Sequence, residues 1–162
     1  MKKYILTEET KEVNGIILHR IEAVKDFGDV KTGDKGGWIE KENLSQEGNA
    51  WVYGEACVTG SARVSDSACV GDSACVGDSA CVSGSACVGG WARVSGSADY
   101  IVFKNWWSSG RYFTWTRSNN MWRVGCFYGT GEELINKAYA DSEKSGREYE
   151  RIVRYVESIK NE

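Results

Sequence analysis

The sequence predicts a mainly β protein in which a short parallel β-solenoid lies between an N-terminal β cap and a small C-terminal α+β domain. Three observations predict this architecture. A six-residue repeat occupies the middle of the chain, two strand patterns joined by a turn precede it, and aromatic strand patterns followed by two helical patterns come after it. We therefore expect three parts: a cap at residues 1–43, the repeat at residues 44–99 and a C-terminal domain at residues 100–162.

The central segment repeats a hexad with valine at one position and alanine two residues before it. An α-helix does not have a period of six, and an ordinary strand is not interrupted so often by Gly, Asp and Ser. In each Ala-Cys-Val run, alanine and valine point to one side of the strand and cysteine to the other. Gly, Asp and Ser then turn the chain, so that the hexads wind into stacked coils. The inner column consists of Val52, Val58, Val64, Val70, Val76, Val82, Val88 and Val94 with Ala50, Ala56, Ala62, Ala68, Ala74, Ala80, Ala86, Ala92 and Ala98.

This pattern resembles the hexapeptide repeat of left-handed parallel β-helix proteins, in which three hexads, or about 18 residues, form one coil. The resemblance implies a left-handed β-helix of about three coils, in which residues one coil apart are stacked. The outward side chains then form three columns: Trp51, Cys69 and Cys87; Cys57, Cys75 and Arg93; and Arg63, Cys81 and Asp99.

Five of the six cysteines stand in the outward position of the hexad. Stacked strands lie about 4.8 Å apart, so neighbouring thiols are close enough for a disulfide. We expect instead a ladder of small, reduced side chains, as is usual in a cytoplasmic protein, with a disulfide or a metal as alternatives. A zinc site is poorly supported, because the chain has no Cys-x-x-Cys pair and its single histidine, His19, lies in a predicted strand outside the repeat.

One outer face of the predicted solenoid is flat, uncharged and partly aromatic. It carries Trp51, Tyr53, Cys69 and Cys87. Such a face is typical of a self-association surface, and we expect a homodimer or homotrimer through it. The alternative is that Gly and Cys simply suit the wall of a β-helix.

The segment before the repeat predicts two strands, Lys3–Leu6 and Gly15–Val24, with Asn14-Gly15 in the turn between them. Leu44 is expected to begin the inner column. Trp38 and Ile39 are expected to cover the first coil.

The segment after the repeat predicts three antiparallel strands and two helices that close the last coil. The strands are expected at residues 101–103, 111–117 and 121–127. Capping boxes formed by Thr130 with Glu133 and by Ser145 with Glu148 predict the two helix starts.

Several motifs resemble those of phage and prophage hexapeptide-repeat proteins of uncharacterised function. They are Gly36-Gly37-Trp38-Ile39, Asn43-Leu44-Ser45, the Asn-Ala-Trp-Val-Tyr-Gly run at residues 49–54, and the Gly-Cys-Phe-Tyr-Gly-Thr run at residues 125–130. The resemblance spans essentially the whole chain and implies a phage accessory protein in the cytoplasm of a bacterial host. By analogy with other small phage proteins, we expect an inhibitor of host defence that binds an effector protein or sequesters a nucleotide signal.

We expect a protein that is not an enzyme and that has no cofactor. Many left-handed β-helix proteins are acyltransferases, which need a catalytic histidine in or beside the coils, and this repeat contains none. A degenerate acyltransferase is therefore one alternative, and a structural part of the virion or its tail is another. The net charge of −3 provides no basic field for sequence-specific DNA binding or for a membrane surface.

The predicted binding site lies in the C-terminal domain, where aromatic and basic residues alternate. Aromatic faces and arginines together suit nucleobases, phosphates or the anchor pocket of a partner. Because strand side chains alternate, Phe113, Trp115, Trp122 and Val124 are expected in the core instead. The candidate binding residues are Trp106, Trp107, Arg111, Tyr112, Arg117, Asn119 and Arg123.

Overall fold

The computed structural model describes residues 1–105 and 109–162. It confirms a mainly β protein with a solenoid of about three turns, an antiparallel N-terminal hairpin and a C-terminal sheet covered by two helices. Within the described part of the chain, neither helix is long and apolar enough to cross a membrane.

The N-terminal cap is a hairpin joined to the first rung of the solenoid. Strands β1 (Tyr4–Val13) and β2 (Ile16–Ala23) are antiparallel and connected through Asn14 and Gly15, whose φ angles of 52° and 80° form the expected turn. Strand β3 (Lys35–Ile39) is antiparallel to β2 on one side and parallel to a solenoid strand on the other. β3 therefore belongs to the solenoid wall as well as to the cap.

The Gly36-Gly37 motif lets β3 lie directly on the first coil. A Cβ added to Gly37 would lie 2.6 Å from both the Ala56 carbonyl oxygen and Val52 Cγ1, so only glycine fits. Leu44 is 2% exposed and forms a bridge with Val64, which confirms its place in the inner column.

The solenoid has three faces made of two-residue strands. The first face joins β3 to β5, β8 and β11, the second consists of β4, β7 and β10, and the third of β6 and β9. The strands are Trp51–Val52 (β4), Cys57–Val58 (β5), Arg63–Val64 (β6), Cys69–Val70 (β7), Cys75–Val76 (β8), Cys81–Val82 (β9), Cys87–Val88 (β10) and Arg93–Val94 (β11). All pairs are parallel, and Cys69 pairs with both Trp51 and Cys87, which confirms the stacking of residues one coil apart.

The inner column is confirmed from Ala50 to Val94, where every repeat valine and alanine is at most 2% exposed. Ala98 is an exception, because it is exposed and lies in a short 3₁₀ helix (Ser97–Asp99). The Asp99 carboxylate accepts hydrogen bonds from the backbone N–H groups of Ser95 (2.7 Å) and Gly96 (3.0 Å), which turns the chain out of the solenoid. The expected stacking of Asp99 on Cys81 is therefore wrong.

The C-terminal sheet has four antiparallel strands rather than three. They run in the order β12 (Tyr100–Lys104), β13 (Tyr112–Thr116), β14 (Met121–Val124) and β15 (Phe127–Gly129). The predicted third strand is broken at Gly125, whose φ of 57° reverses the chain so that Phe127 pairs with Val124. Glycine adopts this left-handed conformation without the steric cost of a Cβ.

The sheet separates the solenoid from the helices. One face packs on helices α1 (Gly131–Asp141) and α2 (Glu143–Ile159), with Phe113, Trp115, Trp122 and Val124 in the core as expected. The other face lies on the last coil, where Tyr100 and Val102 pack against the solenoid core. Here Tyr100 donates a hydrogen bond of 2.7 Å to the Cys81 carbonyl.

Of the two predicted helix starts, the first is correct and the second is not. Thr130 and Glu133 form the expected capping box at α1, with bonds of 2.8 and 3.3 Å between side chains and backbone N–H groups. The box expected at Ser145 and Glu148 is wrong, because α2 begins one turn earlier and the hydroxyl of Ser142 accepts the N–H of Ser145 at 3.1 Å.

We expect Ser142→Ala to lower the free energy of unfolding by about 1 kcal/mol, because the substitution removes the cap from a helix N-terminus. Ser145→Ala is the matched control and is expected to change stability by less than about 0.5 kcal/mol, since only its backbone takes part in the cap. Urea unfolding of the two variants measures the difference, and a larger loss for Ser145→Ala would contradict the assignment.

Candidate functional site

A groove runs along the junction between the second solenoid face and the C-terminal sheet. Hydrogen bonds hold the sheet on the last coil: on the second face the Cys87 N–H donates to Thr114 Oγ1 at 2.9 Å, and on the first face the Arg93 N–H donates to Ser118 Oγ at 2.7 Å. We call it the coil–sheet groove. It has a volume of about 290 Å³ and is lined by Tyr53, Cys69, Gly71, Asp72, Cys87, Val88, Gly89 and Arg123.

Three polar side chains meet around Gly90 at the edge of this groove. Asp72 accepts the Gly90 N–H at 2.8 Å, and the same carboxylate oxygen lies 3.9 Å from Arg123 Nη1. The hydroxyl of Tyr128 packs so closely on Gly90 that an added Cβ would lie 1.9 Å from it. Asp72, Arg123 and Tyr128 therefore form one cluster, although they come from the solenoid, β14 and β15.

The hydroxyl of Tyr128 has a proton that it can donate to a ligand. Burial and, to a smaller extent, the charge of Asp72 raise the pKa of Tyr128 above its ordinary value. The side-chain amide of Asn119 donates to the Tyr128 oxygen at 3.0 Å. Tyr128 therefore keeps its own proton available for another acceptor at neutral pH.

Two further hollows adjoin the groove. One, of about 230 Å³, shares Cys87 and Arg123 with it and adds Arg111 and Tyr112. The other, of about 520 Å³, shares Asp72 with it and is mainly apolar, with Trp91 as its most exposed member (80%). The second hollow is lined by Asp72, Gly90, Trp91, Asn119, Met121 and Tyr128. The groove therefore has an arginine-rich part, a centre with an ion pair and an apolar part.

The structure brings together only some of the predicted binding residues. Arg111, Tyr112 and Arg123 share one hollow. Arg117 lies in a different hollow, beside Trp115 and Lys160. Asn119 has a structural role, because its side chain bonds Thr116, Tyr128 and the Met121 N–H. Trp106 and Trp107 lie outside the described residues.

The structure differs from the flat self-association face that the sequence predicted. Trp51 is 1% exposed, because Phe27 and Tyr4 pack on its ring with centroid distances of 5.3 and 6.2 Å. Trp51 therefore cannot contact a second copy. Tyr53, Cys69 and Cys87 line the groove instead of a flat surface.

The cysteine columns are not all reduced. Cys69 and Cys87 form a disulfide with a Cα–Cα distance of 4.7 Å, so the expectation of reduced thiols is wrong for this pair. Cys57 and Cys75 occupy equivalent paired positions on the first face and are free. Burial, the largest cause, raises the pKa of the Cys57 thiol.

Four residues of the site were not predicted from the sequence: Asp72, Trp91, Met121 and Tyr128. A signal existed for Trp91, because it stands where the five preceding hexads, from Ser61 to Ser85, and the following one at Ser97 have a serine before the alanine. Asp72 has no distinguishing signal, since Asp66 and Asp78 stand at the same hexad position.

The fold and the groove define the class of the molecule as a hexapeptide-repeat β-helix protein with a ligand-sized groove at its C-terminal junction. No protein-family model matches the chain. The chain is similar to the Escherichia coli K12 protein named uncharacterized acetyltransferase YdcK, with 42% identity over 62 residues. This match covers 33% of the chain and 19% of YdcK, so the chain spans about a fifth of the length of this curated relative. The similarity supports the left-handed β-helix of the hexapeptide-repeat type.

The similarity to YdcK corrects one expectation and leaves others open. The prediction that the protein is not an enzyme is wrong, because this relative is named an acetyltransferase. The phage origin and the role against host defence are not supported by the comparison and stay predictions.

Proposed function

We propose that the protein is an acetyltransferase whose substrates bind in the coil–sheet groove. The observation that carries this proposal is the cluster of Asp72, Arg123 and Tyr128 around Gly90. The name of the relative YdcK supports the reaction class. The cluster supports the location, because it combines a carboxylate, a cation and a hydroxyl donor beside an open groove.

Acetyl transfer needs a base and a donor to the carbonyl oxygen. The acceptor's hydroxyl or amine attacks the acetyl carbon, its proton passes to the base, and negative charge develops on the carbonyl oxygen. When the carbonyl re-forms, the bond from the acetyl carbon to the donor's leaving group breaks, and that group takes up the proton held by the base. In our proposal Asp72 takes the proton. Tyr128 donates its hydrogen bond to the carbonyl oxygen, and Arg123 with Arg111 binds an anionic part of the donor.

A carboxylate is assigned as the base because the single histidine is engaged elsewhere. His19 lies in β2, where its Nδ1 is 3.1 Å from the Thr7 carbonyl oxygen. It pairs with Thr10 and Ile39, within the N-terminal sheet. Asp72 is the carboxylate that lines both the groove and its apolar hollow.

The proposal is tested by incubating the protein with acetyl-CoA and a mixture of amine and hydroxyl acceptors, with acetyl-CoA consumption followed by chromatography. We expect turnover by the wild type and a loss in kcat of about 10²-fold or more for Asp72→Asn, the usual contribution of a general base. Tyr128→Phe is expected to lose about 10²-fold, as for removal of one donor to the developing oxyanion.

Asp66→Asn is the matched control. Asp66 has the same left-handed conformation as Asp72 (φ 59° and 54°) and accepts the Gly84 N–H at 2.9 Å, but it stands at a different corner and does not line the groove. Equal losses for Asp66→Asn and Asp72→Asn would contradict a catalytic role, and the absence of wild-type turnover would contradict the proposed function.

A second candidate function is the binding of a small nucleotide without turnover. The exposed Trp91 beside the apolar hollow suits a nucleobase, and Arg111 with Arg123 suits its phosphates. ADP is the probe. Binding should raise Tm in the wild type and not in Trp91→Ala, because a ligand of the folded state stabilises it by mass action.

A further inference from the structure

A disulfide lines the coil–sheet groove. Cys69 and Cys87 stand at directly paired positions of β7 and β10, and both line the groove beside Tyr53 and Arg123. Both cysteines are half-buried rather than fully covered. The sulfur bridge is therefore part of the surface that a ligand in the groove would meet.

The second stacked pair of cysteines provides a contrast within the same molecule. Cys57 and Cys75 pair in the same way on the first face, but they are free thiols. Cys57 is 5% exposed and packs with Leu18 and Trp38. The oxidised pair thus lies in the groove, and the reduced pair lies under the N-terminal hairpin.

The charges around the disulfide favour an anionic reactant. Arg123 lines the groove with both cysteines, and Arg111 joins Arg123 and Cys87 in the adjoining hollow. Asp72 is the acidic residue among these lining residues, and its carboxylate is already bonded to the Gly90 N–H and lies 3.9 Å from Arg123. Cations beside a cysteine stabilise its thiolate, which makes it a better leaving group in thiol–disulfide exchange.

We propose that the groove binds a small anionic thiol and exchanges it with the Cys69–Cys87 disulfide. The ligand's anionic group lies on Arg123, and its thiolate sulfur attacks Cys69 Sγ. A mixed disulfide forms between the ligand and Cys69 while the bond to Cys87 breaks. The electron pair leaves on Cys87 Sγ, as a thiolate beside Arg111 and Arg123.

A second ligand thiol completes the reaction. It attacks the ligand sulfur of the mixed disulfide and releases the Cys69 thiolate, so that two ligand thiols become one ligand disulfide while one protein disulfide becomes two thiols. The exchange shares the groove and Arg123 with the proposed acetyl transfer, but its chemistry uses the sulfur atoms of Cys69 and Cys87 and needs neither Asp72 nor Tyr128.

The test uses the whole chain of residues 1–162, purified without reductant and treated with glutathione in the absence of oxygen. Cysteamine, a cationic thiol, is the matched probe. Each rate is divided by the rate of the same thiol with a small soluble disulfide. Intact-mass spectrometry measures the adduct and peptide mapping locates it. We expect an adduct on Cys69, and a normalised rate for glutathione at least tenfold above that for cysteamine.

Two arginine variants distinguish binding in the groove from general exposure of the disulfide to thiols. Arg123→Gln is expected to remove most of the preference for glutathione, whereas Arg93→Gln, at an exposed arginine in the neighbouring column, is expected to keep it. The proposal is overturned if the purified protein has six free thiols, if no adduct forms, or if Arg123→Gln leaves the preference unchanged.

Discussion

Replacing Lys3 by methionine is expected to lower the free energy of unfolding by about 2–4 kcal/mol, because the substitution leaves buried carbonyl groups without a donor. Lys3 is fully buried, and its Nζ donates to the carbonyl oxygens of Ala50 (2.8 Å), Glu47 (3.3 Å) and Gly48 (3.5 Å). These carbonyls belong to the first coil. The inner column provides only apolar atoms at the open N-terminal end of the solenoid. Lys3 therefore closes this end with its hydrogen bonds.

The effect of Lys3 is expected to depend on pH. Burial, with a smaller contribution from Lys25, lowers the pKa of Lys3 to about 8. Between pH 8 and the ordinary lysine value of about 10.5, the unfolded chain binds more protons than the folded one, so stability rises with pH. The advantage of wild type over Lys3→Met should grow by about 2 kcal/mol between pH 8 and pH 10.

Comparison with the variant at each pH cancels the other titrations. One of these titrations is that of Tyr4, because burial raises its pKa to about 12. Above pH 10 it opposes the increase in stability that Lys3 causes. Urea unfolding of both proteins at pH 7, 8, 9 and 10 measures the difference. Lys2→Met is the control, because Lys2 forms only an exposed ion pair with Glu42, and it should change stability by less than about 0.5 kcal/mol. A pH-independent difference between wild type and Lys3→Met would argue against a buried ammonium group.

Gly90→Ala is expected to lower the free energy of unfolding by about 3 kcal/mol or more, through two additive costs. The first is conformational: Gly90 has a φ of 61°, and an L-residue in this left-handed region costs about 1–2 kcal/mol. The second is steric, because the added Cβ would lie 1.9 Å from the Tyr128 hydroxyl and force the C-terminal sheet away from the coil. Overpacking of this kind costs about 1–3 kcal/mol.

Gly84→Ala separates the two costs. Gly84 stands one hexad earlier with a φ of 65°, and an added Cβ would have no atom within 4 Å. It should therefore show only the conformational cost. Thermal and urea unfolding of both variants measure the difference. In the Tyr128→Phe background, part of the excess loss of Gly90→Ala should be recovered, because the contacting oxygen is gone. Equal losses for Gly84→Ala and Gly90→Ala would contradict the close packing of Tyr128 on the coil.

The candidate site was predicted only in part, for a reason that its residues illustrate. Arg111, Tyr112 and Arg123 were found because arginines and aromatic residues alternate along a short stretch. Asp72 was missed, because nothing local distinguishes it from Asp66 and Asp78, which adopt the same corner conformation. What separates Asp72 is the arrival of Arg123 and Tyr128 from the C-terminal sheet, and this depends on the docking of two distant segments.

The same distinction applies to the fold. The sequence by itself determined the solenoid, its inner column, the stacking of cysteines and the first capping box, because each depends on residues within one hexad or one helical turn. Only the tertiary structure decided which cysteine pair is oxidised, that Trp51 is covered, that the C-terminal sheet has a fourth strand, and which side chains meet at Gly90. Every hexad has nearly the same local preferences, so its neighbours in space decide whether a corner is solvated, covered by the cap or part of the groove.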